Sequence, residues 1–176
     1  SKMFKQFALV YLGNFLGSFM IAALCFFSGQ YNASSGLLGA YTLKVALNKV
    51  ALTPVQAITS GILCNIIVCL AILMAGAAKD VTGKMLASYV PIFAFVISGF
   101  EHCVANMYYI TAGLLCKTNP DYVNLALHQY GISQSSIDSF NALSSLKNFI
   151  PVTIGNIIGG AIIVGALLYY LNRERK

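Results

Sequence analysis

The chain has 176 residues, 58% of them hydrophobic and only 9% charged, against roughly 25% charged in an average soluble domain. That composition excludes an ordinary water-soluble globular protein and points to a membrane protein. Eleven Lys and Arg against five Asp and Glu leave a net charge of +6, but the basic residues are scattered, forming neither a nucleic-acid-binding stripe nor a charged tail, so the excess is read as a record of topology. Five cysteines, Cys25, Cys64, Cys69, Cys103 and Cys116, form no C-x-x-C pair and no Cys/His cluster. Neither a disulfide framework nor a zinc site is indicated, and no cofactor is implied.

Phe7 to Phe27 is a run of twenty-one residues without a charge, long enough to cross roughly 30 Å of hydrocarbon as a helix. Gly13, Asn14 and Gly17 interrupt its apolar character, and no clear small-residue cleavage site follows, so it is read as a span and not as a signal peptide. A loop rich in Ser, Gly and Asn, residues 28–36, then leads to Lys44 and Lys49. A second span runs from about Ile58 to Ala78 and ends at Lys79. The third apolar region differs: Leu86 to Ile97 gives way to Ser98-Gly99-Phe100-Glu101-His102 before Val104 to Cys116 resumes, which reads as two half-helices with a break. Lys117 to Lys147, holding Asn119-Pro120-Asp121 and Ser133 to Ser136, is too hydrophilic to span, and a short surface helix is expected around Tyr122 to His128. The fourth span, Phe149 to Leu171, closes at Arg173-Glu174-Arg175-Lys176.

Short cytoplasmic loops are enriched in Lys and Arg. Placing the N-terminus inside puts Lys2, Lys5, Lys79, Lys84, Arg173, Arg175 and Lys176 inside and Lys44, Lys49, Lys117 and Lys147 outside. Seven against four favours both termini on the cytoplasmic side, provided that the broken third region crosses completely.

The first span contains Gly13-Asn14-Phe15-Leu16-Gly17 and the last contains Gly155-Asn156-Ile157-Ile158-Gly159, the same G-N-x-x-G pentad. Glycines four apart share one helix face and let a neighbouring backbone approach closely, so helix packing is the role assigned to Gly13, Gly17, Gly155 and Gly159. The copies sit three spans apart and therefore cross in opposite directions, as in inverted-topology repeats. If the second, third and fourth spans form one repeat, the first span ends an earlier repeat whose two other spans are absent. The expectation is a single transmembrane domain over residues 1–176, all-α and polytopic, that lacks two spans of its complete fold.

Glu101-His102 lies at membrane depth near Phe95, Phe100 and Tyr108. An ionisable residue there costs about 2.5 to 3.5 kcal/mol on insertion scales and marks a functional site by default. On a resumed helix, His102 and Asn106 would lie one turn apart on one face, the Asn amide fixing the ring tautomer, while Glu101 would satisfy backbone groups freed at the break. The plain alternative is a buried structural histidine with a helix-capping glutamate. A small anion entering an apolar constriction loses its hydration and needs a positive charge or a proton, and an imidazole offers both near neutral pH. Phe95, seven residues before His102, would suit such a constriction and would equally suit a core.

Three segments carry a resemblance: Gly61-Ile62-Leu63-Cys64-Asn65; Phe95 through Glu101-His102-Cys103-Val104-Ala105-Asn106-Met107; and Asn148 through Pro151, Gly155-Asn156 and Gly159-Gly160. In these the chain resembles the formate/nitrite transporter family, pentameric channels with an aquaporin-like inverted-repeat fold of six spans, two of them broken. The likeness covers essentially the whole chain as the family's spans three to six. It implies a homopentamer in the inner (plasma) membrane with a pore through each protomer, His102 as central histidine, Glu101 and Asn106 as its neighbours, Phe95 in an apolar constriction, and Lys49 and Asn65 near the anion path. Lys49 has a simpler reading as a loop lysine.

The function expected is a channel, passive or weakly proton-coupled, for small monovalent anions of weak acids such as formate, hydrosulfide or nitrite, working without nucleic acid. An aquaporin-like channel for small neutral solutes is the main rival, but the chain's Asn-Pro dipeptide, Asn119-Pro120, lies in the polar connection and leaves Glu101-His102 unexplained. An enzyme using His102 and Glu101 as base and acid lacks a metal-ligand set or nucleotide motif, and a non-transporting subunit would have no use for a broken span.

Overall fold

The computed structural model describes residues 2–173. Arg175 and Lys176 of the terminal basic cluster lie outside the described residues. The elements in order are α1 (Lys2–Phe27), a 3-10 turn (Gln30–Asn32), α2 (Leu37–Val50), α3 (Pro54–Ala77), α4 (Val81–Ile97), α5 (Cys103–Cys116), α6 (Pro120–Tyr130), α7 (Gln134–Ser139), α8 (Ala142–Ile157), a π-helical segment (Ile158–Val164) and α9 (Gly165–Arg173). The described residues contain no strand, in line with the all-α expectation. Three helical runs are long and apolar enough to cross a bilayer, Lys2–Phe27, Pro54–Ala77 and Ala142–Arg173, while Val81–Ile97 and Cys103–Cys116 are shorter apolar helices.

Local chemistry sets the boundaries. At the start of α3 the Thr53 hydroxyl accepts from the Gln56 N–H at 3.3 Å while the Thr53 N–H donates to Gln56 Oε1 at 2.9 Å, a reciprocal cap that precedes Pro54 in the first turn. Asp80 caps α4 by accepting from the Gly83 N–H at 2.8 Å. The α4 helix stops at Gly99, whose φ of +70° is a left-handed conformation that only glycine adopts without strain. The five residues from Ser98 to His102 that part α4 from α5 coincide with the break expected from sequence.

The chain forms two compact units. One comprises the segment up to Leu52 with Val104–Phe149; the other comprises Thr53–Cys103 with the segment from Ile150 onward. The core of the first is built from Leu43, Ala46 and Leu47 of α2, Ile110 of α5, Tyr122 of α6, Ile137 of α7 and Phe140. Gly39 lies against the Tyr122 ring so closely that a Cβ there would come within 2.7 Å of it. The Tyr122 hydroxyl donates to Asn32 Oδ1, and burial raises the phenol above its ordinary pKa, which keeps it a donor. Residues 28–36 are turns, as expected, but the following residues, to which the sequence assigned no element and whose Lys49 had a simple reading as a loop lysine, form the helix α2: Ala40, Leu43, Ala46, Leu47 and Val50 recur at helical spacing, and the first four are buried. It was hidden by its length, since fourteen residues are too few to span and a search for spans passes over it.

Candidate functional site

The second unit contains α4 and the break that follows it, through Cys103. Phe95, in the last turn of α4, is buried, and its ring centroid lies 5.9 Å from that of His102 with the planes tilted by 31°. Glu101 is 4% exposed and His102 is half-buried. A break at membrane depth frees backbone donors and acceptors that no lipid can satisfy. Here one side chain takes up two of these groups and ties them to α3. Asn156, 5% exposed, accepts from the Cys103 N–H at 2.9 Å through Oδ1, and through Nδ2 donates to the Glu101 carbonyl at 3.0 Å and to the Gly61 carbonyl of α3 at 2.9 Å. The Glu101 N–H donates to Ser60 Oγ at 3.0 Å.

Asn156 reaches these groups because α8 and α3 touch backbone to backbone. A Cβ at Gly155 or Gly159 would overlap the carbonyl oxygens of Ile58 and Ile62, and one at Gly61 would meet the Val152 carbonyl at 2.9 Å. Asn65 belongs to the same assembly, its amide donating to the Asn156 carbonyl. That bond diverts a carbonyl at the end of α8, beside the run of Ile158–Val164 that winds as a π-helix through Gly159 and Gly160.

His102 is the residue just before α5 and not a member of it, since the helix resumes at Cys103. In the first unit, Asn106 and Asn148 are fully buried: Asn106 Nδ2 donates to Asn148 Oδ1 at 2.7 Å, and Asn148 Nδ2 donates to the Lys49 carbonyl at 2.9 Å. Lys49, in the last turn of α2, holds its ammonium 5.2 Å from the centre of the Tyr109 ring, a cation–π contact. The structure thus places Phe95, Asn65, Glu101 and His102 in one unit and Lys49 and Asn106 in the other.

Sequence reasoning missed three residues. Asn156 was seen only as part of a glycine pentad; an asparagine inside an apolar helix, itself costly, was the available signal. Asn148 stood in a quoted motif without a role. Ser60 carried no signal, because its bond to residue 101 joins distant parts of the sequence.

The family model described as formate/nitrite transporter matches residues 1–170. The chain belongs to the formate/nitrite transporter family. Among family members it is similar to the formate channel FocA of Haemophilus influenzae, 41% identical over 98% of this chain and 61% of that protein, and to the formate channel FocA of Escherichia coli K12, 35% identical over 95% and 58%. The chain therefore spans about three fifths of the length of these relatives. Its structure is similar to that of a pentameric formate channel with formate bound, with a TM-score of 0.86 and 30% identity over 97% of this chain and 67% of the other. An ion channel of the same family matches with a TM-score of 0.72 and 28% identity, over 96% and 59%. Fold and family agree with the resemblance seen in the three sequence segments, and the chain is a multi-pass membrane protein of this family.

Proposed function

We propose that the complete protein is a channel for small monovalent anions of weak acids, with formate the leading substrate and hydrosulfide and nitrite as further candidates, and that it is not an enzyme. The observation that carries this reading is the polar break in an apolar helix: Glu101 and His102 sit where the backbone is interrupted, beside the Phe95 ring. Relatives of this chain are formate channels, and one solved relative is pentameric with formate bound. The reading extends to a homopentamer in the inner membrane with cytoplasmic termini, each protomer completing an aquaporin-like six-span repeat by two spans beyond residues 1–176.

In this account Lys49 draws the anion toward the passage. The N-terminal end of α5, which begins directly after His102, adds a partial positive charge where the anion is driest. His102 stabilises the anion or passes it a proton, and a neutral permeant loses most of its desolvation barrier. Phe95 lines the apolar constriction. Asn65 and Asn106 belong to the path by way of the amide contacts that fix their surroundings, and Glu101 orients the break.

The test is flux into proteoliposomes holding the full-length protein, comparing formate, nitrite, hydrosulfide, chloride and glycerol at two pH values. Fast flux of one weak-acid anion, exceeding chloride and rising as pH falls, is expected. Glycerol flux without anion flux would establish the neutral-solute channel in its place.

A further inference from the structure

The polar connection between α5 and α8 folds against the end of α2 and leaves a cavity of 520 Å³, all of whose lining residues belong to the first unit. Gly131, at φ +61°, ends α6, and Ser133 caps α7 by accepting from the Ser136 N–H at 3.2 Å, so the chain turns twice around the hollow. The buried Leu47 and Phe140, with Val50 and Ile132, supply its apolar lining. Its charged lining is Lys44 and Lys147, and no acidic residue contributes. Formate would fill only a small part of this volume; pockets of about 300–1,000 Å³ hold whole organic molecules.

The two lysines differ from a third on the same connection. Lys117 is used inside the fold, its ammonium donating to the Phe140 carbonyl at 2.6 Å and to the Asp138 carbonyl at 3.4 Å. Lys44 instead holds its ammonium 4.7 Å from the centre of the Tyr130 ring, which Tyr41 braces edge-on at 6.0 Å. That contact orients the ammonium and leaves its N–H groups able to donate. Lys147 is exposed and makes no hydrogen bond or ion pair among the described residues, and the Asn48 amide of the same lining makes none either. Asp138, the acid of α7, does not line the cavity and accepts from Gln134 Nε2 at 2.8 Å. The lining hydroxyls are bonded locally: Ser133 and Ser136 share a bond of 2.7 Å, Ser139 donates to the Ser136 carbonyl and Ser144 to the Asn141 carbonyl. The donors left for a ligand are therefore the two ammonium groups and one amide.

We propose that this cavity binds an organic carboxylate larger than formate, its carboxylate held by Lys44, Lys147 and Asn48 and its apolar body, aromatic or branched, resting on Leu47, Ile132 and Phe140. An ammonium already oriented by a ring loses little freedom on binding, and an apolar lining excludes the water that would weaken the ion pair. Phe95, Glu101 and His102 belong to the other unit, and the inference does not rest on the channel reading.

Binding of 4-fluorobenzoate to the full-length protein in a neutral detergent, followed by the fluorine NMR line width, tests the assignment without any flux measurement. Saturable broadening is expected in the wild type, reversed by benzoate and reversed about tenfold less effectively by acetate, which has no ring to bury. The neutral 4-fluorobenzamide should show no saturable broadening. Lys44→Met combined with Lys147→Met should weaken binding at least about tenfold, the loss of one or more charge-assisted hydrogen bonds. Because Lys44 also rests on Tyr130, Ser136→Asp serves as a second variant: it puts a carboxylate into the lining at an exposed position in the first turn of α7, where an acidic residue suits the helix, and should abolish binding with the melting temperature unchanged. His102→Phe should bind the probe as the wild type does. Equal broadening in the wild type, the double-lysine variant and Ser136→Asp would overturn the proposal and assign the probe to the micelle. Loss of binding in His102→Phe alone would also overturn it, placing the probe at the helix break.

Discussion

Gly155-Asn156 and Gly13-Asn14 begin the same pentad, yet one leaves no room for a Cβ and the other is open. The difference lies in what the helix faces. At Gly155 and Gly159 the absence of a side chain lets α8 and the π-helical segment rest on the carbonyl oxygens of α3, and this approach brings the Asn156 amide within reach of three backbone groups. At Gly13 and Gly17 the same residues meet a cavity. A sequence motif therefore specifies a capacity for close approach; the partner decides whether that capacity becomes a clamp.

Substitutions can break or sharpen this contrast. The largest effect is expected from Gly155→Leu, which drives a side chain into the Ile58 carbonyl: overpacking of this kind costs about 1–3 kcal/mol where the structure can relax and more where it meets backbone, so the 176-residue chain should lose its cooperative thermal transition in detergent. Gly13→Ala in the same chain should leave the transition unchanged or raise it, since a helical glycine costs roughly 0.5–1 kcal/mol relative to alanine and nothing obstructs the new methyl.

Asn156→Leu comes next. It removes the hydrogen bonds to the Cys103 N–H and to the Glu101 and Gly61 carbonyls, each contributing about 0.5–1.5 kcal/mol, and a melting temperature within error of the wild type would remove Asn156 from the account. Asn148→Leu, which unseats Asn106 and the Lys49 carbonyl, is expected to be milder, at about 1–3 kcal/mol in all. The smallest effect belongs to Ser60→Ala, which removes a single hydrogen bond to the Glu101 N–H and should lower stability by about 1 kcal/mol.

The spans and the break were legible because both are written in one dimension: an apolar run of bilayer length, and an ionisable pair where none should be. Glu101 and His102 stood out by their cost alone. The helix α2 was not legible as a helix, since its fourteen residues carry their apolar stripe below the length that hydropathy detects. The exact phase of α5 was also hidden; its start at Cys103 places His102 at the helix entrance, a matter of one residue that depends on Gly99 turning left-handed and on Asn156 taking the Cys103 N–H. Ser60 and Asn148 act through partners 41 and 42 residues away, and no local pattern announces such pairs. Asn156 lay in plain view in the pentad, but the glycines explained the pentad well enough to conceal the amide between them.

The central claim is that the histidine at the clamped break governs passage of weak-acid anions. Its most direct test is the ratio of formate to chloride flux, measured between pH 5 and pH 8 in proteoliposomes, for the full-length protein and its His102→Phe variant. The account predicts a ratio that rises as pH falls in the wild type and is flat in the variant, with the variant still folded and oligomeric. An unchanged pH profile in His102→Phe would contradict it and return His102 to a structural role.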